Sequence, residues 1–166
     1  MIQLFNLGAP PIPLGSEVGL SRWIPLTQDL ITRFGVNTHD PDPAHIDPQW
    51  AAQHSPYGET IAFGFLTMSL LTCMINEVVA RPADEVSTLN YGFDRLRLLA
   101  PVRVGRSIRG RFVLKDLAMR SSTQYRTLYG VTIEIQGEPK PAMVADWLIV
   151  TNVREPRHVP AGVITP

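Results

Sequence analysis

At 166 residues the chain suits one domain with a core of its own, and fifteen basic against fifteen acidic residues leave it without net charge. That balance gives no electrostatic reason to expect nucleic acid or an anionic membrane as the main partner, although local charge can still meet a small anionic ligand. The single cysteine, Cys73, excludes an internal disulfide, fits a reducing cytoplasmic setting, and within its apolar run reads as a buried small hydrophobe.

Residues 1–17 carry no basic region ahead of an apolar run, and Pro10, Pro11 and Pro13 break what apolarity there is, so they read as an extended lead-in and not a signal peptide. Val18 to Leu26 alternates loosely around Trp23 and Ile24, which predicts a first strand. Thr27 is placed to cap a short helix from Gln28 to about Phe34, with Leu30, Ile31 and Phe34 on its apolar face and Gly35 as its stop. Between Asp40 and Pro48 three prolines remove donors and fix φ, so this stretch predicts an ordered loop in which Asp40 and His45 can converge on one point. Asp47 reads as a turn or capping residue, and Pro48 opens a helical turn to about Gln53.

From Gly64 the apolar residues Phe65, Leu66, Met68, Leu70, Leu71, Cys73, Met74, Ile75, Val78 and Val79 fall on every face, which predicts a central helix enclosed on most sides and limited by Pro82. Thr67, Ser69, Thr72, Asn76 and Glu77 interrupt the apolar run, which argues against a membrane span. Asn76 and Glu77 are expected at an exposed edge. The glycine at the head of this helix would offer free N–H groups and the positive end of the helix dipole to a developing oxyanion. Beyond it, Val86 to Leu98, Ser107 to Leu117, Thr123 to Gln136 and Pro141 to Val150 are strand-like runs separated by turn residues. One apolar helix followed by long antiparallel strands predicts an α+β domain over 18–153 in which the sheet wraps the helix, with 154–166 as a tail. His54 and His158 have no partner pattern, and no spacing of His, Cys and carboxylates suggests a metal site.

The run Asp40, Pro43, His45, Asp47, Pro48, Ala51 and then Gly58, Ile61, Ala62, Gly64, Leu66 resembles the motif of the MaoC-like, R-specific enoyl-CoA hydratases of the hot-dog fold. Residues 65–71 and 90–102 add a likeness to the NodN-like branch, and the resemblance spans about Val18 to Val150. It implies reversible syn addition of water to a trans-2-enoyl thioester, giving an R-3-hydroxyacyl thioester. Asp40 would orient or deprotonate the water, His45 would share it and handle the proton at the α-carbon, and the Gly64 N–H would polarise the thioester carbonyl. Phe63, Phe65 and Thr72 would lie against the substrate.

The resemblance also implies a coenzyme A thioester as substrate, no bound cofactor, and a homodimer with sites at its interface. A dimer is expected independently, because a sheet wrapped on one helix leaves edges to cover. Two positions differ from many members of the family: His39 stands where they have glycine, and Phe63 where they have histidine. The arginines Arg95, Arg97, Arg103, Arg106, Arg109 and Arg111 read as a solvated sheet face, with coenzyme A phosphates as the alternative use. The other functions weighed are an acyl-CoA thioesterase, for which Glu77 is the only acid within the central helix, and an inactive acyl-thioester binding subunit.

Overall fold

Period-two burial along the later strands decides the architecture. The computed structural model describes residues 1–4 and 12–157; Pro10, Pro11, His158 and most of the expected tail lie outside the described residues. In β6 (Gln124–Ile135) burial alternates without a break, so Tyr125, Thr127, Tyr129, Val131, Ile133 and Ile135 share one face. In β5 (Ser107–Ser121) the buried set runs Ile108, Phe112, Leu114 and then Leu117, and the odd step coincides with a register shift between Leu114 and Asp116. One inserted residue keeps the apolar side chains on the core face as the strand bends. β7 (Met143–Val153) and β3 (Glu85–Phe93) complete the wall, with β1 (Glu17–Leu20) at the other end: the order is β1-β5-β6-β7-β3, every pairing antiparallel. Two short strands, β2 (Ile24–Pro25) on β5 and β4 (Arg97–Leu98) on β7, extend it.

The expected single strand from Val18 to Leu26 is therefore two. Its continuity is lost where Ser21, whose N–H donates to the Gly110 carbonyl, precedes Arg22, whose N–H turns to Glu77.

The helix inside this wall is carried in two segments, α4 (Gly64–Ser69) and α5 (Leu71–Val78), joined at Leu70, whose ψ of −8° loosens one turn. Leu66, Leu71, Met74, Ile75 and Val78 are buried against the sheet. Such a stripe at spacings of three and four is amphipathic, so the expected enclosure on most sides is corrected: Phe65, Ser69, Thr72, Cys73 and Asn76 form an exposed face. Cys73 is thus exposed, not buried, and its Sγ donates to the Leu70 carbonyl. Glu77 is half-buried and held by Arg22, with an ion pair at 2.7 Å. Among the described residues no helix is long and apolar enough to cross a membrane.

On the sheet's other side, Asp146 in β7 is 5 % exposed and accepts from Arg95 Nε at 2.8 Å and from Lys115 Nζ. Lys115 lies close over Gly130, where a Cβ would stand 2.8 Å from Lys115 Cε. Burial by itself raises the Asp146 carboxyl, but the bonds from Lys115 and Arg95 outweigh it and hold the group below the usual carboxylate range. A lowered folded-state pKa contributes stability that is present above the unfolded value and lost as pH falls through the folded one. Asp146→Asn should therefore cost about 1–2 kcal/mol at neutral pH, with much of the interaction screened through exposed Arg95. Urea titrations at pH 7 and pH 3 should show the gap between wild type and variant closing at the acid end.

Candidate active site

The acid and the imidazole are delivered by the end of one helix and the start of the next. α1 (Gln28–Asn37) begins with Thr27, whose side chain accepts from the Leu30 N–H at 3.3 Å, as expected of a cap. It runs past Gly35, which is buried and within the helix, not its stop. The helix ends in a left-handed residue: His39 has φ of +56°, its N–H donates to the Val36 carbonyl at 3.2 Å, and the Asp40 N–H donates to the Gly35 carbonyl at 2.9 Å. This is the paired-bond ending that normally takes glycine at the left-handed position. It sets Asp40 at the first residue beyond the turn, exposed to solvent.

The proline stretch holds a short helix, α2 (Pro43–Ile46), where a loop was expected, because Pro43 occupies a first-turn position that lacks a donor requirement. Asp42 caps it through the Ala44 N–H at 2.8 Å. Asp47 then caps α3 (Pro48–His54) by accepting from Gln49 and Trp50 N–H groups, as expected. His54 bonds the Trp50 carbonyl and stacks on the Trp50 ring.

His45, half-buried on α2, has its Nδ1 at 2.7 Å from the Ile61 carbonyl oxygen. A carbonyl only accepts, so Nδ1 carries the proton and the lone pair of the neutral ring is on Nε2. The ring packs on Phe63 at 3.9 Å between centroids, and Phe63 in turn meets Phe34 at 5.3 Å. Phe63 is 5 % exposed, so it is a floor under the imidazole.

Gly64, the next residue, begins α4, and Phe63 supplies no side-chain cap, which leaves first-turn N–H groups for another acceptor. A Cβ there would fall 2.3 Å from Leu98 Cδ1 on β4, so the end of that exposed side chain would have to swing aside. Phe65 is 71 % exposed beside it. Thr72 is exposed on α5, eight residues on, or about 12 Å along the axis at 1.5 Å per residue.

Thus the structure stacks His45 on Phe63 next to Gly64, sets the Asp40 main-chain carbonyl and the Phe63 ring against the same residue, Gly35, and leaves Phe65 exposed and Thr72 apart. Residues that sequence patterns did not single out are Gln28, Thr60 and the Ile61 carbonyl, which have no side-chain signature, and Leu98. Among the described residues no group of three or more His, Cys, Asp and Glu could hold a metal ion. Partial desolvation of the exposed Cys73 thiol by its neighbours, then the charge of Glu77, raises its pKa, which is the reverse of an activated nucleophile.

A sequence model of the MaoC like domain matches residues 11–135. The chain belongs to the MaoC-like dehydratase family. Within this family it is 41 % identical to the Nodulation protein N of Rhizobium meliloti over 149 residues, 90 % of this chain and 92 % of that protein. It is 33 % identical to 3-hydroxyacyl-thioester dehydratase Z of Mycobacterium tuberculosis over 135 residues, 81 % of this chain and 88 % of that one. In three dimensions the MaoC-like chain superposes on the (R)-hydratase from A. caviae involved in PHA biosynthesis with a TM-score of 0.67 at 18 % identity, covering 85 % of this chain and 98 % of that one. The sheet wrapped around a central helix is the single hot-dog domain of this MaoC-like group.

One glycine of this MaoC-like site is sterically committed. A Cβ on Gly35 would stand 2.8 Å from the Asp40 carbonyl oxygen, 2.9 Å from Phe63 Cζ and 3.1 Å from Ile46 Cγ2. Two of these are a ring and a backbone atom that cannot swing aside cheaply. Gly35→Ala should cost about 1–3 kcal/mol in urea unfolding and displace both Asp40 and the floor of His45. A crystal structure of the variant should show the Asp40 turn moved.

Proposed function

We propose that the protein is an R-specific enoyl-CoA hydratase that adds water syn and reversibly to a trans-2-enoyl thioester, within fatty-acid or related acyl metabolism in the cytoplasm. The observation that carries this reading is the His45 Nδ1–H bond to the Ile61 carbonyl, at the mouth of a glycine-headed helix whose first turn is uncapped. It commits Nε2 to be the acceptor in the neutral ring.

The water donates one proton to this pair of groups, Asp40 and His45, as its oxygen bonds the β-carbon. Electrons of the double bond move onto the thioester oxygen, where the Gly64 N–H and the helix dipole meet the charge. The proton then passes from the pair to the α-carbon on the same face. One O–C bond and one C–H bond form, the π bond and one O–H bond of water are lost, and both side chains return to their starting states. No bound cofactor enters the reaction.

Partition between acid and base fits the two groups: a carboxylate that only accepts, and an imidazole that accepts at one nitrogen while its other is fixed. The thioesterase alternative needs a carboxylate near the carbonyl carbon, and Glu77 is instead paired with Arg22 in the last turn of α5.

The first test follows loss of conjugated enoyl-thioester absorbance with crotonyl-CoA and a longer enoyl-CoA, with product chirality and free thiol read in parallel. Asp40→Asn and His45→Gln should each lower kcat by about 100-fold or more. Gly64→Pro keeps a favoured residue at the first helical position but removes its N–H, and should lower kcat about 100-fold, beyond the loss in Gly64→Ala. Thiol release without hydration would replace this reading by a thioesterase, and binding without turnover by an inactive subunit.

We further propose that the protein acts as a homodimer through β3. This strand lies at one end of the sheet order, and on it Val86, Leu89 and Tyr91 are 61 %, 56 % and 58 % exposed. An edge strand with unpaired main-chain groups and apolar side chains is a surface made to be covered. Val86→Glu with Leu89→Glu should convert dimer to monomer in light scattering and leave far-UV circular dichroism unchanged.

A further inference from the structure

Four hydrogen bonds close a ring around the candidate acid–base residue. The Ile61 N–H donates to the Ala44 carbonyl at 3.2 Å, and His45 Nδ1–H donates to the Ile61 carbonyl at 2.7 Å. Gln28 Nε2 donates to the His45 carbonyl at 2.8 Å, and Thr60 Oγ1 donates to Gln28 Oε1 at 2.5 Å. Ala44 and His45 are neighbours on α2, and Thr60 and Ile61 are neighbours on the approach to α4. The two segments are therefore tied twice directly and once through Gln28 of α1. The amide of Gln28 has no idle end: its nitrogen also meets Thr32 Oγ1 at 3.1 Å. Thr60 is 1 % exposed, and its carbonyl accepts from the Val104 N–H at 3.0 Å, so this side of the ring is anchored to the sheet wall.

A glutamine at a half-buried helix start needs none of this for helix formation, since Thr27 already caps α1. What the amide does instead is restrain the main chain of His45. The ring of His45 rotates about bonds attached to that main chain. Holding the carbonyl in place keeps Nδ1 on Ile61 and leaves the Nε2 lone pair for the reaction. Only an amide serves both contacts: it donates toward His45 and accepts from Thr60 within one planar group. A carboxylate accepts from Thr60 but repels the His45 carbonyl, and an aliphatic side chain makes neither bond.

We propose that Gln28, supported by Thr60, is a positioning residue for the hydration reaction, holding His45 in the tautomer and orientation that make Nε2 the proton acceptor. This rests on the hydratase reading of the same site. Displacements of under an ångström in such a group are enough to lower turnover by one to two decades.

The test compares Gln28→Leu, Gln28→Glu, Thr60→Val and Thr60→Ser by enoyl-CoA hydration and by ¹⁵N spectra of the histidine rings, with His45 assigned against His45→Gln. Gln28→Leu, Gln28→Glu and Thr60→Val should each lower kcat by about tenfold or more with KM within about twofold. Their His45 ring should pass from a single Nδ1–H tautomer to a mixture. Thr60→Ser, which keeps the hydroxyl, should retain wild-type kcat and the wild-type spectrum.

Folded Gln28→Leu and Thr60→Val with wild-type kcat and an unchanged His45 spectrum would overturn the proposal. So would Thr60→Ser as impaired as Thr60→Val, since that loss would come from packing of the methyl group. If Gln28→Leu does not fold, the Thr60 pair decides by the same criteria. If the wild type hydrates no enoyl thioester, the hydratase reading falls, and the His45 spectra still decide whether Gln28 and Thr60 set the tautomer.

Discussion

A short antiparallel pairing at the mouth of the central helix is the constraint on which the site depends. Ala62 donates to the Val102 carbonyl at 2.7 Å, Val104 donates to the Thr60 carbonyl at 3.0 Å, and Ile61 bridges Arg103 between them. This pins the three residues before Phe63 to the chain that enters β5. With that backbone held, the Ile61 carbonyl has one position, and so has Gly64 at the start of α4. The Nδ1 bond of His45 and the head of α4 are built outward from these two points. Leu98 on β4 lies against Gly64, so the same wall that holds the helix mouth also closes on it.

The energetics favour burial over charge in holding this frame. Each of Leu71, Met74, Ile75 and Val78 is at most 6 % exposed, and full burial of such a side chain is worth about 1.5–3 kcal/mol. The outer sheet face carries Arg109 and Arg111 on Glu134, but half-exposed pairs of this sort contribute about 0–1 kcal/mol. Those arginines keep a solvated face apart from the core and align β5 with β6. The wall is therefore held by its apolar side, and the helix N-terminus can be left uncapped without risk to the fold.

Backbone geometry at His39 shows how local strain serves position. A non-glycine residue in the left-handed region costs about 1–2 kcal/mol, less for one that hydrogen-bonds locally. Here the paired bonds from His39 and Asp40 back into α1 hold it there. The turn reverses the chain within two residues, so the acid emerges close to the helix that also carries Gln28. His39, which the resemblance marks as a departure from the family, has the backbone role of a helix terminator.

Much of the local structure was legible along the chain. Thr27, Asp47 and Pro48 act locally, through bonds to residues two or three positions away, and such signals survive in sequence. The later strands announced themselves as runs rich in β-branched and aromatic residues between turn residues, since such side chains suit a pleated, half-buried surface. The order Asp40, His45, Gly64 with its prolines carried the family, and with it the fold. Gly35 misled because a glycine at a helix end and a glycine under an aromatic ring look alike until Phe63 is in place. The helix from Gly64 looked apolar all round because exposed Phe65 and Cys73 are apolar residues on the open face; burial is settled by neighbours, not by residue type. The ring through Gln28, Thr60 and Ile61 joins positions 16 to 32 residues apart and uses main-chain carbonyls, which every residue has. By itself the sequence determined the family, the fold class and the local caps and strand runs, because these rest on motif, composition and bonds between near neighbours. The tautomer of His45, the floor beneath it and the groups that hold it were decided only by the tertiary structure, because they depend on which backbone atoms the closed sheet brings together.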